Sequence, residues 1–361
     1  MKKFRMKANA ISIFGSAFLP IIFLFAGILQ VGCGSAVSEI TLQGAGATFP
    51  NPIYQRWFSI YTLAHPNVKF DYQAIGSGGG QKQILARTVD FAASDAPLKD
   101  KDLASAPGTI IHIPSVLGAV AITYNLPSLT GDFNLKPEIL SKIYLGQIKK
   151  WNDPAIKSVN QGSVLPAAEI RVTHRSDSSG TTFVFTDYLS KVSQEWQKKV
   201  GSGTLVDWPV GVGAKGNEGV AQLATQTSNS IAYVELKYAM DNRLHYALMM
   251  NAAGSFIKPT LESITAAAGT AQVPDDLRVS ITNAPGKESY PISSFTYLLA
   301  YQDQSDRTKG RALVDFLWWA THEGQGTARQ MMYAPLPGEL VGKVEAKIQL
   351  IACQGRPLYG K

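Results

Sequence analysis

Cysteine is nearly absent from these 361 residues: there are two, Cys33 and Cys353, so no disulfide framework holds the fold together. Histidine is scarce as well. The five, His65, His112, His174, His245 and His322, follow no metal-ligand spacing, which counts against a metal enzyme. Charged side chains make up 17% and hydrophobic ones 45% of the chain, the balance of a globular protein rather than a disordered one. No basic stripe interleaved with aromatics marks a nucleic-acid surface. The formal charge of +7 overstates the basicity, because Lys2, Lys3, Arg5 and Lys7 supply four of it within 32 residues that hold no acid, leaving +3 for the rest. There is no internal repeat, no Gly-x-Ser-x-Gly elbow, and no Gly-Lys-Ser/Thr to close either glycine run into a P-loop. Ser176-Asp177-Ser178-Ser179-Gly180 lacks the leading glycine of the trypsin-like Gly-Asp-Ser-Gly-Gly, and the α/β pattern does not suit those barrels.

What is present begins with an export signal in residues 1–36: a basic start, an apolar run from Ile11 to Val31, then small residues. The run is close to the about 20 residues that span a bilayer, but Gly15, Pro20 and the small residues after Val31 favour a cleaved signal. Val31-Gly32-Cys33 resembles the end of a lipoprotein signal, with Gln30 where leucine is usual. Gly34-Ser35-Ala36 offers an ordinary cleavage site instead. The lipoprotein version explains a cysteine at the end of a hydrophobic segment, and Cys33 would then carry a lipid anchor. The chain is too long for one ordinary core and suits two lobes of roughly 150 residues each.

Short extended runs alternate with helical patterns, which predicts an α/β fold. Val68–Tyr72 alternates at period two, Ile111–Tyr124 is a long apolar run broken by Pro114, and Ile170-Arg171-Val172 reads as a buried strand. Phe49, Ile53, Trp57 and Tyr61 recur at helical spacing; so do Phe185, Leu189, Val192 and Trp196, and Leu313, Phe316, Leu317 and Ala320. Four segments set glycines and small polar residues between a strand-like and a helix-like run: Gly44–Pro50, Gly76–Gly80, Ser94–Pro97 and Arg175–Thr182. A helix start presents unpaired N–H groups and the positive end of the helix dipole, so several such starts converging would hold a small oxyanion. Arg175 would add a fork of N–H groups suited to phosphate or carboxylate. Each segment alone is more often a turn or an N-cap; their recurrence carries the argument.

These segments, in order and spacing, resemble the phosphate-binding proteins of high-affinity phosphate ABC transporters. The likeness continues through Ile143–Ile156, Lys215-Gly-Asn-Glu-Gly219, Ile231–Glu235 and Tyr333–Pro337, from residue 40 to Tyr359. It implies a two-lobed, type II periplasmic binding-protein fold closed by a hinge of two chain crossings. Lobe one would comprise residues 37–124 and 292–361, lobe two residues 125–291. It also implies phosphate contacts from Thr48, Phe49, Ser77 and Asp95 on one lobe and Arg175, Ser179, Gly180 and Thr181 on the other, with Asp177 holding the arginine. The sequence departs from the family where Gly78 replaces a frequent serine, Ser178 a frequent glycine, and His174 an arginine found in some relatives.

Asp95 favours hydrogen phosphate over sulfate, since a carboxylate facing an anion suits only a ligand that brings a proton. The expected role is capture of inorganic phosphate in the periplasm or on the outer face of the cell membrane. Delivery would be to the permease and ATPase subunits of an ABC importer, with no catalysis, no cofactor and no nucleic-acid partner. Phosphate sensing, a surface role, or another oxyanion such as sulfate, molybdate or a phosphonate are the alternatives. A weak phosphatase on the same fold would need a metal cluster or an activated nucleophile.

Overall fold

The computed structural model describes residues 38–360; the export signal and Cys33 lie outside them. Its principal strands are β1 (Ile40–Gly46), β2 (Val68–Gln73), β3 (Phe91–Ser94), β4 (Ile110–Tyr124), β5 (Arg171–Arg175), β6 (Val212–Ala214), β7 (Ser230–Glu235) and β8 (Ser293–Tyr301). They line up in the order β2-β1-β3-β8-β4-β7-β5-β6. One half, β2-β1-β3, is parallel, and so is the other, β7-β5-β6, while β8 and β4 join them as antiparallel strands.

Strand β4 belongs to both halves. Nine of its first ten residues pair with β8 and its last five, Val120–Tyr124, with β7. All fifteen are buried, as are all nine of β8. A strand covered on both faces must be largely apolar on both, which is why Ile110–Tyr124 reads as a long apolar run rather than an alternating one.

Pro114 does not break this strand. The register slips beside it, so that Thr296 faces Val116 and Tyr297 faces Pro114. Ser115 is the extra residue of a bulge, the place where a sheet tolerates a proline. The bulge thus sits opposite Thr296, whose hydroxyl reaches the site described below.

Helices flank the sheet: α1 (Asn51–Ala64), α2 (Ser77–Leu85), α3 (Gly180–Val192), α4 (Gly216–Gln226) and α5 (Arg307–Thr321) are those that matter here. Ile53, Trp57 and Tyr61 do face the core from α1, and Leu313, Phe316, Leu317 and Ala320 from α5. Rings of the two helices meet with Phe70 of β2: Phe58 stacks on Phe70 at 4.4 Å, and Phe316 lies 4.6 Å from it. Burying each such side chain contributes about 1.5–3 kcal/mol. Phe49 precedes α1 rather than belonging to it. The spacing Phe185–Trp196 also runs through two helices, not one. Ser193 ends α3 in an extended conformation and its hydroxyl accepts the N–H of Trp196 at 3.2 Å, starting a second helix, Gln194–Lys199. A serine hydroxyl offers the backbone this alternative to helix continuation.

Candidate functional site

The ends of β1, β3 and β5 and the starts of α1, α2, α3 and α4 converge around Asp95. This residue follows β3 and is 1% exposed. Its Oδ1 accepts the Thr296 hydroxyl at 2.7 Å, and its backbone N–H donates to Ser77 Oγ at 3.2 Å. Its Oδ2 is buried and has no hydrogen-bond partner among the described residues. Burial pushes the Asp95 carboxyl up to about 7, against the opposing pull of Thr296, Arg175 and Ser77. Ser77, the first residue of α2, is fully buried beside it. Ser94–Pro97 therefore contributes a carboxylate rather than a helix start: the next helix, Asp100–Ser105, begins three residues after Pro97.

Across from Asp95 stands the first turn of α3. Ser179 caps it, its hydroxyl accepting the N–H of Thr182 at 3.1 Å. Gly180 and Thr181 follow, with first-turn N–H groups that have no partner within the helix. A Cβ on Gly180 would collide with Asp95 Oδ2 and Ser77 Oγ, so glycine is what lets the helix start come this close to the carboxylate.

Arg175 ends β5 and is also 1% exposed, far from the surface pair that an Arg near an Asp usually makes. Asp177 grips it with both oxygens, Nε to Oδ1 at 2.8 Å and Nη2 to Oδ2 at 2.6 Å. Although burial pushes Asp177 up, the Arg175 fork holds it below the usual carboxylate value. Asp177 Oδ1 in turn accepts the Gly216 N–H at 3.0 Å at the start of α4. Nη1 reaches Thr181 Oγ1 at 3.4 Å. Of the five guanidinium N–H groups three are spent, leaving two for a ligand.

Thr48 and Phe49 lie in the turn between β1 and α1. Their carbonyls are tied down by tyrosines, Thr48 O accepting from Tyr238 at 2.8 Å and Phe49 O from Tyr333 at 2.8 Å. The structure thus gathers all nine residues singled out from the sequence. It leaves His174 aside: that ring contacts the Arg175 carbonyl through Nδ1 at 3.0 Å and stacks on Trp208 at 4.7 Å. No cluster of three or more potential metal ligands occurs among the described residues.

Two departures from the family pattern turn out to face each other. A Cβ on residue 78 would overlap the Ser178 hydroxyl, and the Gly78 N–H donates to the Ser178 carbonyl at 3.0 Å. A serine at 78 would have no room here because Ser178 fills it.

The sequence reading assigned no role to Asn217, Glu235 or Tyr333, although each lies in a run that carried the resemblance. Asn217, fully buried, connects Thr48 to Thr181. Tyr333 has one proton and two partners, Phe49 O at 2.8 Å and Glu235 Oε2 at 3.1 Å. The hydroxyl shares that proton between the two acceptors, and Glu235 Oε2 also accepts the Lys237 N–H at 3.0 Å. Burial pushes the Glu235 carboxyl up to about 8, against the opposing pull of these hydrogen bonds.

A likeness to known proteins in sequence and in fold accompanies this geometry. Residues 34–323 match the family described as PBP superfamily domain. The chain is 45% identical over 324 residues to the phosphate-binding protein PstS of Pasteurella multocida, covering 88% of this chain and 93% of that one. The chain belongs to the PstS family of phosphate-binding proteins. Two solved structures place the fold of this PstS-family chain. A high-affinity periplasmic phosphate-binding protein, PfluDING, determined with phosphate bound, superposes with a TM-score of 0.68 at 23% identity, covering 85% of this chain and 93% of that one. An ABC-type phosphate transport receptor from Vibrio cholerae does so with a TM-score of 0.55 at 18% identity, covering 82% and 100%. The fold is the two-lobed type II periplasmic binding-protein fold.

The raised carboxyls of this PstS-family site make its stability depend on pH in a definite direction. Asp95 and Glu235 hold their protons more tightly folded than their ordinary values of 3.8 and 4.5 allow unfolded. Their contribution is complete below those ordinary values and is lost as pH rises through about 7 and about 8. In phosphate-free buffer the melting temperature should therefore fall from about pH 4.5 to about pH 8 and level off above, and Glu235→Gln should flatten the upper part of that fall, between about pH 7 and about pH 8. Parallel pH profiles for the parent and Glu235→Gln would refute the assignment of a proton to Glu235.

Proposed function

We propose that this chain binds inorganic phosphate, as the hydrogen phosphate dianion, and passes it to the permease and ATPase subunits of an ABC importer without chemical change. One observation carries the reading. A buried carboxylate oxygen with no hydrogen-bond partner among the described residues faces a helix start, with a buried arginine nearby. Positive and donor groups call for an anion, and a lone acceptor among them calls for an anion that still has a proton. Hydrogen phosphate meets both conditions and sulfate meets only the first. Isothermal titration of the mature protein should give saturable phosphate binding and none with sulfate at matched concentration; equal binding of the two would overturn the reading.

The ligand contacts are Thr48, Phe49, Ser77 and Asp95 from lobe one, residues 37–124 and 292–361, and Arg175, Ser179, Gly180 and Thr181 from lobe two, residues 125–291. Phe49 and Gly180 act through backbone N–H groups. Because contacts from both lobes are complete only when the lobes meet, phosphate biases the equilibrium toward closure. Small-angle scattering should then show a smaller radius of gyration with phosphate than in a verified phosphate-free sample, and an unchanged curve would count against hinge closure.

Residues 1–36 direct export to the periplasm or the outer face of the membrane, with Cys33 as the lipidated first residue, which the intact mass of the exported protein reads directly. No helix among the described residues is long and apolar enough to cross a membrane.

A further inference from the structure

We propose that Asn217 is a positioning residue that forces the hydroxyls of Thr48 and Thr181, one from each lobe, to act as hydrogen-bond donors toward the bound anion. The inference rests on the phosphate reading above and adds to it the group that sets the polarity of the pocket.

A threonine hydroxyl is ambivalent. It has one proton and two lone pairs, and can meet an anion with either. Against an oxyanion only the donor orientation binds, so an unguided hydroxyl loses affinity through the fraction of time it points the wrong way. The structure removes that freedom at two places with one side chain.

The orientation of the Asn217 amide is fixed by a partner that can act in only one sense. The backbone N–H of Glu235 lies 2.9 Å from Asn217 Oδ1, and an N–H can only donate. The amide oxygen is thereby committed to β7, and the NH₂ must face the other way. Its nitrogen lies 2.9 Å from Thr48 Oγ1 and 2.9 Å from Thr181 Oγ1, one proton for each. Each hydroxyl oxygen also accepts a second, longer bond. Thr48 Oγ1 takes the Asn217 backbone N–H at 3.3 Å, and Thr181 Oγ1 takes Arg175 Nη1 at 3.4 Å. With both lone pairs occupied, each hydroxyl has only its proton left to offer. Neither proton goes to any acceptor among the hydrogen bonds of the described residues.

All of this is buried: Asn217 is fully inaccessible, Thr181 is 1% and Thr48 7% exposed. Water is poorly placed to reset the polarity. The start of α4 brings the amide there, since Gly216 is held by Asp177 and Asp177 by Arg175. The arginine and both hydroxyls therefore belong to one rigid donor array.

The test is a double-mutant cycle on phosphate affinity, read by titration calorimetry. N217A should weaken phosphate by about tenfold or more in the parent. In a T48V/T181V background, where there are no hydroxyls to orient, the same substitution should change affinity less than about twofold. A residue that merely supports the fold would cost the same in both backgrounds, and that additive result overturns the proposal. N217D keeps the shape but offers an acceptor to the hydroxyl protons. It should bind phosphate more weakly than N217A in the parent background, with a ligand-free melting temperature reported for each variant; parent-like affinity in N217D overturns the proposal even if N217A does not fold. A parent that binds no phosphate overturns the function and this inference together, whereas a phosphate-binding parent with an additive cycle overturns the inference alone.

Discussion

Replacing Arg175 with alanine should weaken phosphate binding by about 10²- to 10⁴-fold. Two of its N–H groups are free for a ligand after Asp177 and Thr181 have taken three. Hydrogen bonds to a charged partner contribute about 1.5–3 kcal/mol each, and 1.4 kcal/mol is a factor of ten. The loss should be nearly the same for any oxyanion the site can hold, because the guanidinium reads charge and plane, not protonation. Lysine should restore only part of it: a single ammonium cannot hold both Asp177 oxygens and still present a fork. Titration of parent, Arg175→Ala and Arg175→Lys against phosphate measures the three affinities. An Arg175→Ala protein within about threefold of the parent would mean that the anion sits elsewhere.

Asp95→Asn should change selectivity rather than abolish binding. Thr296 already occupies Oδ1, so on the proposed reading Oδ2 is the oxygen that would meet the ligand. In the parent that oxygen would take the O–H of hydrogen phosphate, whereas sulfate would set lone pair against lone pair in a buried site. Asparagine can turn an N–H toward an unprotonated oxygen, so sulfate should compete measurably with phosphate in the variant. Phosphate loses one charge-assisted bond, about 1.5–3 kcal/mol, and keeps the helix-start donors and Arg175. The Asp95 carboxyl, raised to about 7 by burial, adds a pH signature. Below that value an increasing fraction of the parent carries its own proton and can donate to sulfate. Exclusion of sulfate should therefore weaken on acidification in the parent and stay flat in Asp95→Asn. Sulfate still excluded from the variant at neutral pH would remove the carboxylate from the selectivity mechanism.

Much of this was legible because the relevant signals are local. The apolar run of β4 shows in the sequence because a strand shared by two half-sheets is buried on both faces. The site segments show because glycine and serine at a strand-to-helix junction mark a backbone opened toward a ligand. Contacts made across long separations leave no such mark. Asn217 stands 169 residues from Thr48, and nothing in Lys215–Gly219 says which hydroxyls its amide will meet. Tyr333 likewise acquires its meaning only when its hydroxyl is placed between Phe49 and Glu235. Periodicity also misleads where a polar side chain can substitute for the next backbone bond. Ser193 restarts a helix without disturbing the spacing of Phe185, Leu189, Val192 and Trp196, and Ser115 absorbs Pro114 without ending the strand.

The Gly78–Ser178 contact limits how this protein can be recombined with its relatives. The two residues share one space, which holds a single hydroxymethyl group. A chimera joining Ser178 of this chain to a segment carrying serine at 78 would bring two such groups to it, and one joining Gly78 to a segment carrying glycine at 178 would bring none. The first would be crowded at this contact and the second would leave a gap in it, although each segment came from a working parent.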